Sequence, residues 1–329
     1  MENFKPNGLP LLIGSLPMDS HEKATKLVLE HTPDIPLWVQ LPHNREEGMI
    51  PQFLPGLPGF SHDSEKNLLD TSKPEFDEEF LAFFEEYLSV TESGADLGTS
   101  RFALSGTRGK GFFEFLKQID EKNRPFIALK GQVTGPITFG TAVKDENNKD
   151  IFYNDLLKDA AIKKLALNAR WQASEFSKRG AVPIIFIDEP ALAGFGTSAY
   201  ITITKADVIQ SIEEIALEIH AENGLAGVHV CANTEWDMLL GSKIDIISFD
   251  AYSFFDKFIL YPEMIKAYLG QGKLIAWGIV PTAKAELIAA QTTQGLVQLL
   301  HDQMDELSRK TGISKDTILS QSFITPSCG

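Results

Sequence analysis

Eight short apolar runs recur along the 329-residue chain, and each ends in polar, glycine or proline residues. Runs of this kind are typical of buried β-strands. Segments whose apolar residues recur at helical spacing lie between most of them, which indicates parallel strands joined by helices. The pattern predicts an α/β fold, a (β/α)8 TIM barrel that forms a single domain over residues 1–329. The predicted strands are residues 9–17, 35–42, 125–132, 182–190, 225–233, 244–252, 273–281 and 320–329.

Three connecting segments have well-marked helical patterns. Thr204 and Asp207 have the spacing of an N-terminal capping box, and Gly224 follows the last apolar position of that segment. Gly312 stands in the same relation to the last of the three segments. The predicted helices are residues 155–178, 204–224 and 294–310.

The connection between the second and third predicted strands is much longer than the others. It covers residues 43–123 and contains a proline- and glycine-rich stretch at residues 51–59 and a helical pattern at residues 75–88. Long connections in compact domains are usually lids or binding loops. We expect an insertion that either covers the mouth of the barrel or packs on its outside.

The charge balance excludes several classes of partner. Forty-five acidic and thirty basic residues give a formal charge of -15, so the chain lacks the basic surface of a nucleic-acid-binding or anionic-membrane-binding protein. No apolar run approaches the roughly 18 residues of a membrane span, and residues 1–6 do not resemble a signal peptide. We predict a cytoplasmic protein, in which a disulfide between Cys231 and Cys328 is not expected.

Polar residues follow most of the predicted strands. In a barrel of this kind the C-terminal ends of the strands meet on one rim, and the chemistry gathers there. Both cysteines and one of only seven histidines fall at such positions. The strand-end residues are Gly14, Ser15, Gln40, Gln132, Asp188, Glu189, His229, Cys231, Asp250 and Cys328.

His229 and Cys231 are two residues apart, so a strand points both side chains to the same face. Cys328 supplies a second sulfur at the end of the last strand, and Asp250 supplies a candidate oxygen. One imidazole, two thiolates and a carboxylate suit tetrahedral Zn2+, and these ligands favour a thiol reaction over hydrolysis. The alternative is that both cysteines and the histidine are ordinary core residues.

These residues resemble the zinc site of the cobalamin-independent methionine synthase catalytic domain and of related zinc thiol methyltransferases, within the uroporphyrinogen decarboxylase/methionine synthase-like superfamily. The matching segments extend from the first predicted strand to the last. They are Ile13-Gly14-Ser15-Leu16-Pro17, Lys130-Gly131-Gln132-Val133-Thr134-Gly135-Pro136, Ile187-Asp188-Glu189-Pro190-Ala191-Leu192, His229-Val230-Cys231, Asp250 and Pro326-Ser327-Cys328-Gly329.

The resemblance implies methyl transfer to a zinc-held thiol, with homocysteine as the acceptor and methionine as the product. It implies His229, Cys231 and Cys328 as zinc ligands, with Asp250 in the position of a family glutamate. Ser15 would hold the carboxylate of the amino acid, and Asp188, the predicted catalytic residue, would hold its ammonium group. The family's further glutamate after the second strand has no match here, so a different thiol is an alternative acceptor.

Glu189 and Gln132 are further predicted substrate-binding residues, from their places at strand ends. The methyl donor is a folate or a methyl-corrinoid, and the single predicted barrel resembles the corrinoid-dependent relatives more closely. Two other functions stay open. One is a metal-free uroporphyrinogen decarboxylase-like enzyme, for which early arginines are few, and the other is a barrel that binds a corrinoid or a thiol without catalysis.

Overall fold

The computed structural model describes residues 4–61, 67–122 and 124–329 of the chain. Within these ranges the strands are β1 (Leu68–Leu69), β2 (Ala128–Thr134), β3 (Lys144–Asp145), β4 (Val182–Asp188), β5 (Leu225–Val230), β6 (Ile246–Phe249), β7 (Leu274–Val280) and β8 (Ser322–Pro326). β1 pairs with β3, and the other six form one sheet in chain order. Every pairing in that sheet is parallel. Its six C-terminal strand ends therefore lie along one edge.

Helices connect the strands. They are α1 (His21–His31), α2 (Phe76–Glu92), α3 (Lys110–Glu121), α4 (Pro136–Ala142), α5 (Asp155–Ser177), α6 (Lys205–Ala221), α7 (Trp236–Leu240), α8 (Ala251–Phe258), α9 (Pro262–Gly270), α10 (Ala285–Ala289), α11 (Thr293–Thr311) and α12 (Lys315–Ser320). The predicted capping box is confirmed, because the Thr204 side chain accepts from the Asp207 amide and the Asp207 carboxylate accepts from the Thr204 amide. Gly312 ends α11 with φ of 75°, which glycine adopts without strain.

Apolar layers cover both faces of the curled sheet. One layer, which includes Ile185 and Ile187, packs against the connecting helices. The layer on the other face consists of side chains from the strands and the N-terminal segments, among them Ile184 and Phe186. Side chains alternate between the two faces of a strand, so Asp188 continues the second layer towards the C-terminal edge. The same alternation places Lys130, His229 and Ser248 on the same face as Asp188. These side chains form a polar layer that lies nearer the C-terminal edge than the apolar side chains of Ala128, Leu225 and Ile246.

The expected eight-stranded barrel is corrected to a mixed α/β fold with an open, curled sheet of six parallel strands. Six of the predicted strands are present, but the segments 9–17 and 35–42 form only isolated bridges. Pro10 and Pro36 have no N–H group to donate, so each removes one hydrogen bond from the pairing of its segment. The bridges are Pro10 with Ile324, Ser15 with Gln40, and Leu37 with Lys130.

The long connection contacts both the strand ends and the outer helices. Its residues 62–66 and 123 lie outside the described residues. At the strand ends, Thr134 Oγ1 donates to the Met49 carbonyl at 2.6 Å, and Gln40 Nε2 donates to Gln52 Oε1 at 2.5 Å. Further along, α2 packs against α5, and α3 packs against α1. Different parts of the connection thus contact the strand ends and the outer helices, and its role as a lid stays a prediction.

Among the helices that the structure describes, none is both long enough and apolar enough to cross a membrane.

Candidate metal centre

His229, Cys231 and Cys328 come together at the C-terminal edge of the sheet. His229 is the second-last residue of strand β5 and is 3% exposed, while both cysteines are half-buried free thiols. One donor atom from each residue lies within 4.8 Å of the others. These three residues are called the metal triad below. Parallel pairing explains their meeting, because it brings the ends of distant strands to one edge.

The orientation of His229 leaves one ring nitrogen for a ligand. Ser248 lies beside His229 in the register of β5 and β6, and its Oγ is 3.0 Å from His229 Nδ1. His229 Nε2 is buried and has no hydrogen-bond partner in the described part of the chain. A buried polar atom without a partner is unfavourable unless something binds it. A metal ion at the triad would satisfy this atom, so the residues present fit such a group.

The two thiols of the metal triad have opposite electrostatic environments. Interaction with the Cys231 thiol, and then with His229, lowers the pKa of Cys328 to about 4. The same contact with Cys328, together with burial, raises the pKa of Cys231 well above its ordinary range. A thiolate at Cys328 is therefore favoured, and thiolates are the form of cysteine that binds metals.

A buried pair of opposite charges stands beside the triad. Asp188 is the register partner of His229, and its Oδ1 is buried and lacks a hydrogen-bond partner among the described residues. Burial raises the pKa of Asp188 to about 6, although Lys130 opposes the shift. Lys130 is fully buried, and burial lowers its pKa to about 8, against the attraction of Asp188. Each charge thus keeps the other ionised near neutral pH.

Lys130 is held in place by contacts inside the sheet. Its Nζ donates to the Ile13 carbonyl, lies 3.4 Å from Gln132 Oε1 and lies 4.4 Å from the centroid of the Phe186 ring. Gln132 is itself buried and donates from Nε2 to the Trp38 carbonyl at 3.2 Å. Gln132 therefore belongs to the polar layer around the pair, and substrate binding by Gln132 stays a prediction.

Ser15 lies next to the chain end that carries Cys328. A Cβ atom built on Gly329 would be 2.7 Å from Ser15 Oγ, so the serine hydroxyl contacts the residue that follows Cys328. The bridge between Ser15 and Gln40 fixes this position, with Gln40 donating its amide to the Gly14 carbonyl at 2.9 Å. The charge of Cys328 also acts on Asp188, so three of the residues predicted at distant strand ends, Ser15, Asp188 and Cys328, lie in one region.

Glu189 faces the other side of the sheet. It is fully buried, and its carboxylate accepts hydrogen bonds from the Ile137 amide at 2.8 Å and from the Thr138 amide and hydroxyl at 2.9 and 2.6 Å. Both oxygens are thus occupied at the start of α4, although burial raises the pKa of Glu189 to about 7. Gly135 leaves room for this carboxylate, since a Cβ there would lie 2.1 Å from Glu189 Cδ. These contacts give Glu189 a capping role, and its predicted role in substrate binding stays a prediction.

Asp250 lies next to the metal triad without belonging to it. Its Oδ1 accepts from the Ser253 amide at 2.8 Å and caps the start of α8. Burial raises the pKa of Asp250, and the negative charge of Cys328 adds to this effect. As a fourth ligand, Asp250 stays a prediction that would use its other oxygen.

Two residues of this region are absent from the predicted site. Lys130 appears in the sequence only as part of a motif, although a lysine in an otherwise apolar strand is a signal of a buried charge. Ser248 stands two residues before Asp250 in an apolar run, and the period of a strand places it on the same face. Neither signal identifies the partner, because the register of the strands decides which side chains meet.

The donor set determines the metal that suits the triad. One imidazole and two sulfurs are soft or borderline ligands, which favour zinc over magnesium or calcium. Ser248 would fix the ring orientation and tautomer of His229, as residues behind metal-binding histidines generally do. The site is thus suited to hold a metal beside a buried carboxylate and ammonium pair.

Comparison with known proteins gives similarities at low identity. The chain matches none of the protein-family models with which it was compared. A methionine synthase from Methanocaldococcus jannaschii is 25% identical over 217 residues, which are 65% of this chain and 62% of that protein. The chain thus spans less than two thirds of the length of this curated relative. A solved structure of a methyltransferase from Methanosarcina mazei is 19% identical, with a TM-score of 0.43 over 68% of this chain and 59% of that chain.

Proposed function

We propose that the chain is a zinc-dependent methyltransferase that moves a methyl group to a thiol, with homocysteine as the acceptor. The metal triad carries the proposal, since it groups an imidazole and two thiols within 4.8 Å and leaves a buried imidazole nitrogen without a partner among the described residues. The similarity to a protein named methionine synthase supports the same class of reaction. Thiol chemistry is favoured over hydrolysis because two thiolate ligands reduce the Lewis acidity of zinc.

His229, Cys231 and Cys328 would hold the zinc, with Asp250 as the predicted fourth ligand. Bound zinc supplies one effect, a lower pKa for an incoming thiol, which makes its sulfur a nucleophile at neutral pH. In the transfer, the acceptor would release its S–H proton to solvent, and its sulfur would form a bond to the methyl carbon. The donor leaves with the electron pair of the bond that breaks. Methyl-folate and a methyl-corrinoid are both candidate donors.

The buried pair beside the triad is suited to an amino-acid acceptor. Asp188, with a pKa of about 6, is ionised at neutral pH and can accept hydrogen bonds from an ammonium group. Lys130 helps to keep this carboxylate charged. The Ser15 hydroxyl can donate to the carboxylate of the same substrate. Holding both ends of the amino acid would fix the position of its sulfur relative to the triad.

We also infer that the segments 9–17 and 35–42 occupy the places of the first two strands of a (β/α)8 barrel. The bridges support this inference, because one joins residues 9–17 to β8, a second joins the two segments, and a third joins residues 35–42 to β2. Such a closure would bring Ser15 to the same rim as the other strand ends.

Elemental analysis together with a methyl-transfer assay tests the proposed function. We expect about one zinc per chain, bound through the three triad residues. We further expect methionine to form from homocysteine with methylcobalamin or with methyl-tetrahydrofolate as the donor. Cys328→Ser should lose both zinc and activity. Ser327→Ala is the matched control, because its hydroxyl contacts Thr282 at 3.2 Å and the residue lies outside the triad.

The two measurements separate the other functions. Zinc without transfer from either donor would contradict the enzyme and favour a protein that binds a thiol or a corrinoid. Absence of zinc from protein purified and reconstituted with zinc would contradict the metal site and favour a metal-free decarboxylase-like enzyme. Activity with a thiol other than homocysteine would retain the methyltransferase and correct the acceptor.

A further inference from the structure

A cavity of about 490 Å³ lies between the long connection and helix α5. None of the metal triad lines it. Its cationic lining side chains are Arg101, Arg108 and Lys164, and its carboxylate is Glu46. The chain as a whole has a formal charge of -15, so the sign of the charge is locally reversed here. We call this space the cationic cavity.

Lys164 is the most unusual of the three cations. It is 3% exposed and, within the described ranges, forms no ion pair. Its Nζ donates to the Arg101 carbonyl and lies 5.9 Å from the centroid of the Phe102 ring. An ammonium group has three hydrogens to donate, so one carbonyl leaves it incompletely satisfied. Burial, and then the nearby Arg101, lowers the pKa of Lys164 to about 7, although Glu86 opposes the shift.

The neighbouring Lys163 shows what an ordinary lysine of the same helix does. Its Nζ lies 2.5 Å from Asp159 and 3.3 Å from Glu214, and these two carboxylates raise its pKa. Lys164 points into the interior of the protein and has no carboxylate within ion-pair distance among the described residues, and Glu86, which acts on it from further away, is already paired with Arg101. A buried charge that is not paired is strongly unfavourable, so a second group of opposite charge would stabilise it.

The two arginines keep donors to spare. Arg101 uses Nε for an ion pair with Glu86 at 2.6 Å and Nη1 for the Gly56 carbonyl at 3.5 Å, and Arg108 uses Nη1 for the Pro51 carbonyl. A guanidinium group has five N–H donors in a planar fork that matches carboxylate and phosphate oxygens. The hydroxyl groups of Ser105 and Thr107 also line the cavity.

The cavity is open to solvent on one side. Gly98, Ser105 and Thr107 are exposed lining residues, whereas Lys164 is at the buried end. Gln52 lines the cavity as well, and its Oε1 accepts the hydrogen bond from Gln40 at the segment end that pairs with Ser15. A ligand that enters here would thus reach a buried ammonium group through polar surroundings.

We propose that the cationic cavity binds a small ligand through an oxyanion group, a carboxylate or a phosphate, that contacts Lys164, Arg101 and Arg108. Oxygens of such a group accept charge-assisted hydrogen bonds from ammonium and guanidinium donors, which are stronger than bonds between neutral groups. The site is independent of the metal triad, and its occupancy does not depend on methyl transfer.

Isothermal titration calorimetry of the full chain tests the proposal with two probes, inorganic phosphate and succinate, used separately in a buffer without other oxyanions. We expect saturable binding of at least one probe to the wild type. Lys164→Met and Lys164→Gln should weaken it by about tenfold or more, since each removes a hydrogen bond from a charged donor. Lys164→Gln retains a donor for the Arg101 carbonyl, so it decides the question if Lys164→Met does not fold. Lys163→Met is the matched control and should bind like the wild type.

Each result has a defined meaning. Binding of phosphate alone supports a phosphorylated ligand, and binding of succinate alone supports a carboxylate ligand. Absence of saturable binding of both probes would overturn the proposal. Equal affinity of the wild type and the Lys164 variants, or an equal loss in Lys163→Met, would also overturn it.

Discussion

Replacement of Lys164 by methionine should stabilise the protein, and the gain should depend on pH. The folded state lowers the pKa of Lys164 from 10.5 to about 7 because the side chain is buried. A lowered lysine pKa means that the folded state binds the proton less tightly than the unfolded state. The destabilisation is therefore complete below pH 7. It is relieved as the pH rises from about 7 to 10.5, where the folded state has lost the proton and the unfolded state retains it.

The expected size of this effect follows from the two pKa values. The difference between 10.5 and about 7 corresponds to about 5 kcal/mol of unfolding free energy. Methionine has a similar length and no charge, but it removes the hydrogen bond to the Arg101 carbonyl, which costs about 1 to 2 kcal/mol. The net gain at pH 6 is then about 3 kcal/mol, and at pH 9 it is close to zero because most of the penalty has already been relieved.

Urea unfolding at pH 6 and pH 9, followed by circular dichroism, measures this difference. Lys164→Met should shift the unfolding midpoint upwards at pH 6 and leave it nearly unchanged at pH 9. Lys163→Met should lower the midpoint slightly at both values, since it removes ion pairs with Asp159 and Glu214 that are only partly shielded from water. A Lys164→Met protein that is less stable than the wild type at pH 6 would refute the reasoning.

Three further results are expected. Ser248→Ala should weaken zinc binding by about tenfold in a competition titration, because the serine orients His229. Ser322→Ala is the control, since it removes a buried serine on β8 and should leave zinc affinity unchanged. Gly135→Ala should lower the unfolding free energy by about 3 kcal/mol or more in denaturant titrations, because its Cβ would displace the buried Glu189 carboxylate; an unchanged midpoint would show that the cap is dispensable. A chelator should lower the thermal midpoint of the wild type and leave a variant with serine at both triad cysteines unaffected, and an equal effect on both would contradict metal-linked stability.

The parts of the structure that depend on short-range patterns could be predicted from the sequence. The six strands of the main sheet and the capping box at Thr204 follow from apolar periods and local spacing. The grouping of His229 and Cys231 follows from the two-residue period of a strand. Cys328 joins them because parallel strands end at one edge. The two-residue alternation of a strand does not predict which side chains lie across the sheet from each polar residue.

Glu189 shows why a strand-end position alone was insufficient. It follows Asp188 directly, yet the period of the strand points the two carboxylates to opposite faces. Asp188 therefore faces Lys130, while Glu189 reaches the start of α4. Predicting this difference required knowledge of the position of α4, which is set by packing across the sheet.

Helix α5 shows a second limit. Its sequence suggests one apolar stripe, but polar side chains on other faces are buried as well. Asn168 Nδ2 donates to the Phe102 carbonyl at 2.8 Å, and Gln172 Oε1 accepts from Trp38 at 2.8 Å. The long connection and the N-terminal segment cover these faces, and Lys164, which lies three and four residues after Ala161 and Ala160, is buried on the same face as they are.

The two candidate sites balance buried charge in different ways. Beside the metal triad, Lys130 and Asp188 carry opposite signs, so each compensates the other before any ligand binds. In the cationic cavity, Lys164 contacts a carbonyl and an aromatic ring, and the carboxylate that acts on it, Glu86, already forms an ion pair with Arg101. An anion would supply the missing charge there, whereas the pair beside the triad is already neutral as a whole. The buried lysine thus lowers the stability of the chain alone, and the proposed oxyanion would offset that cost.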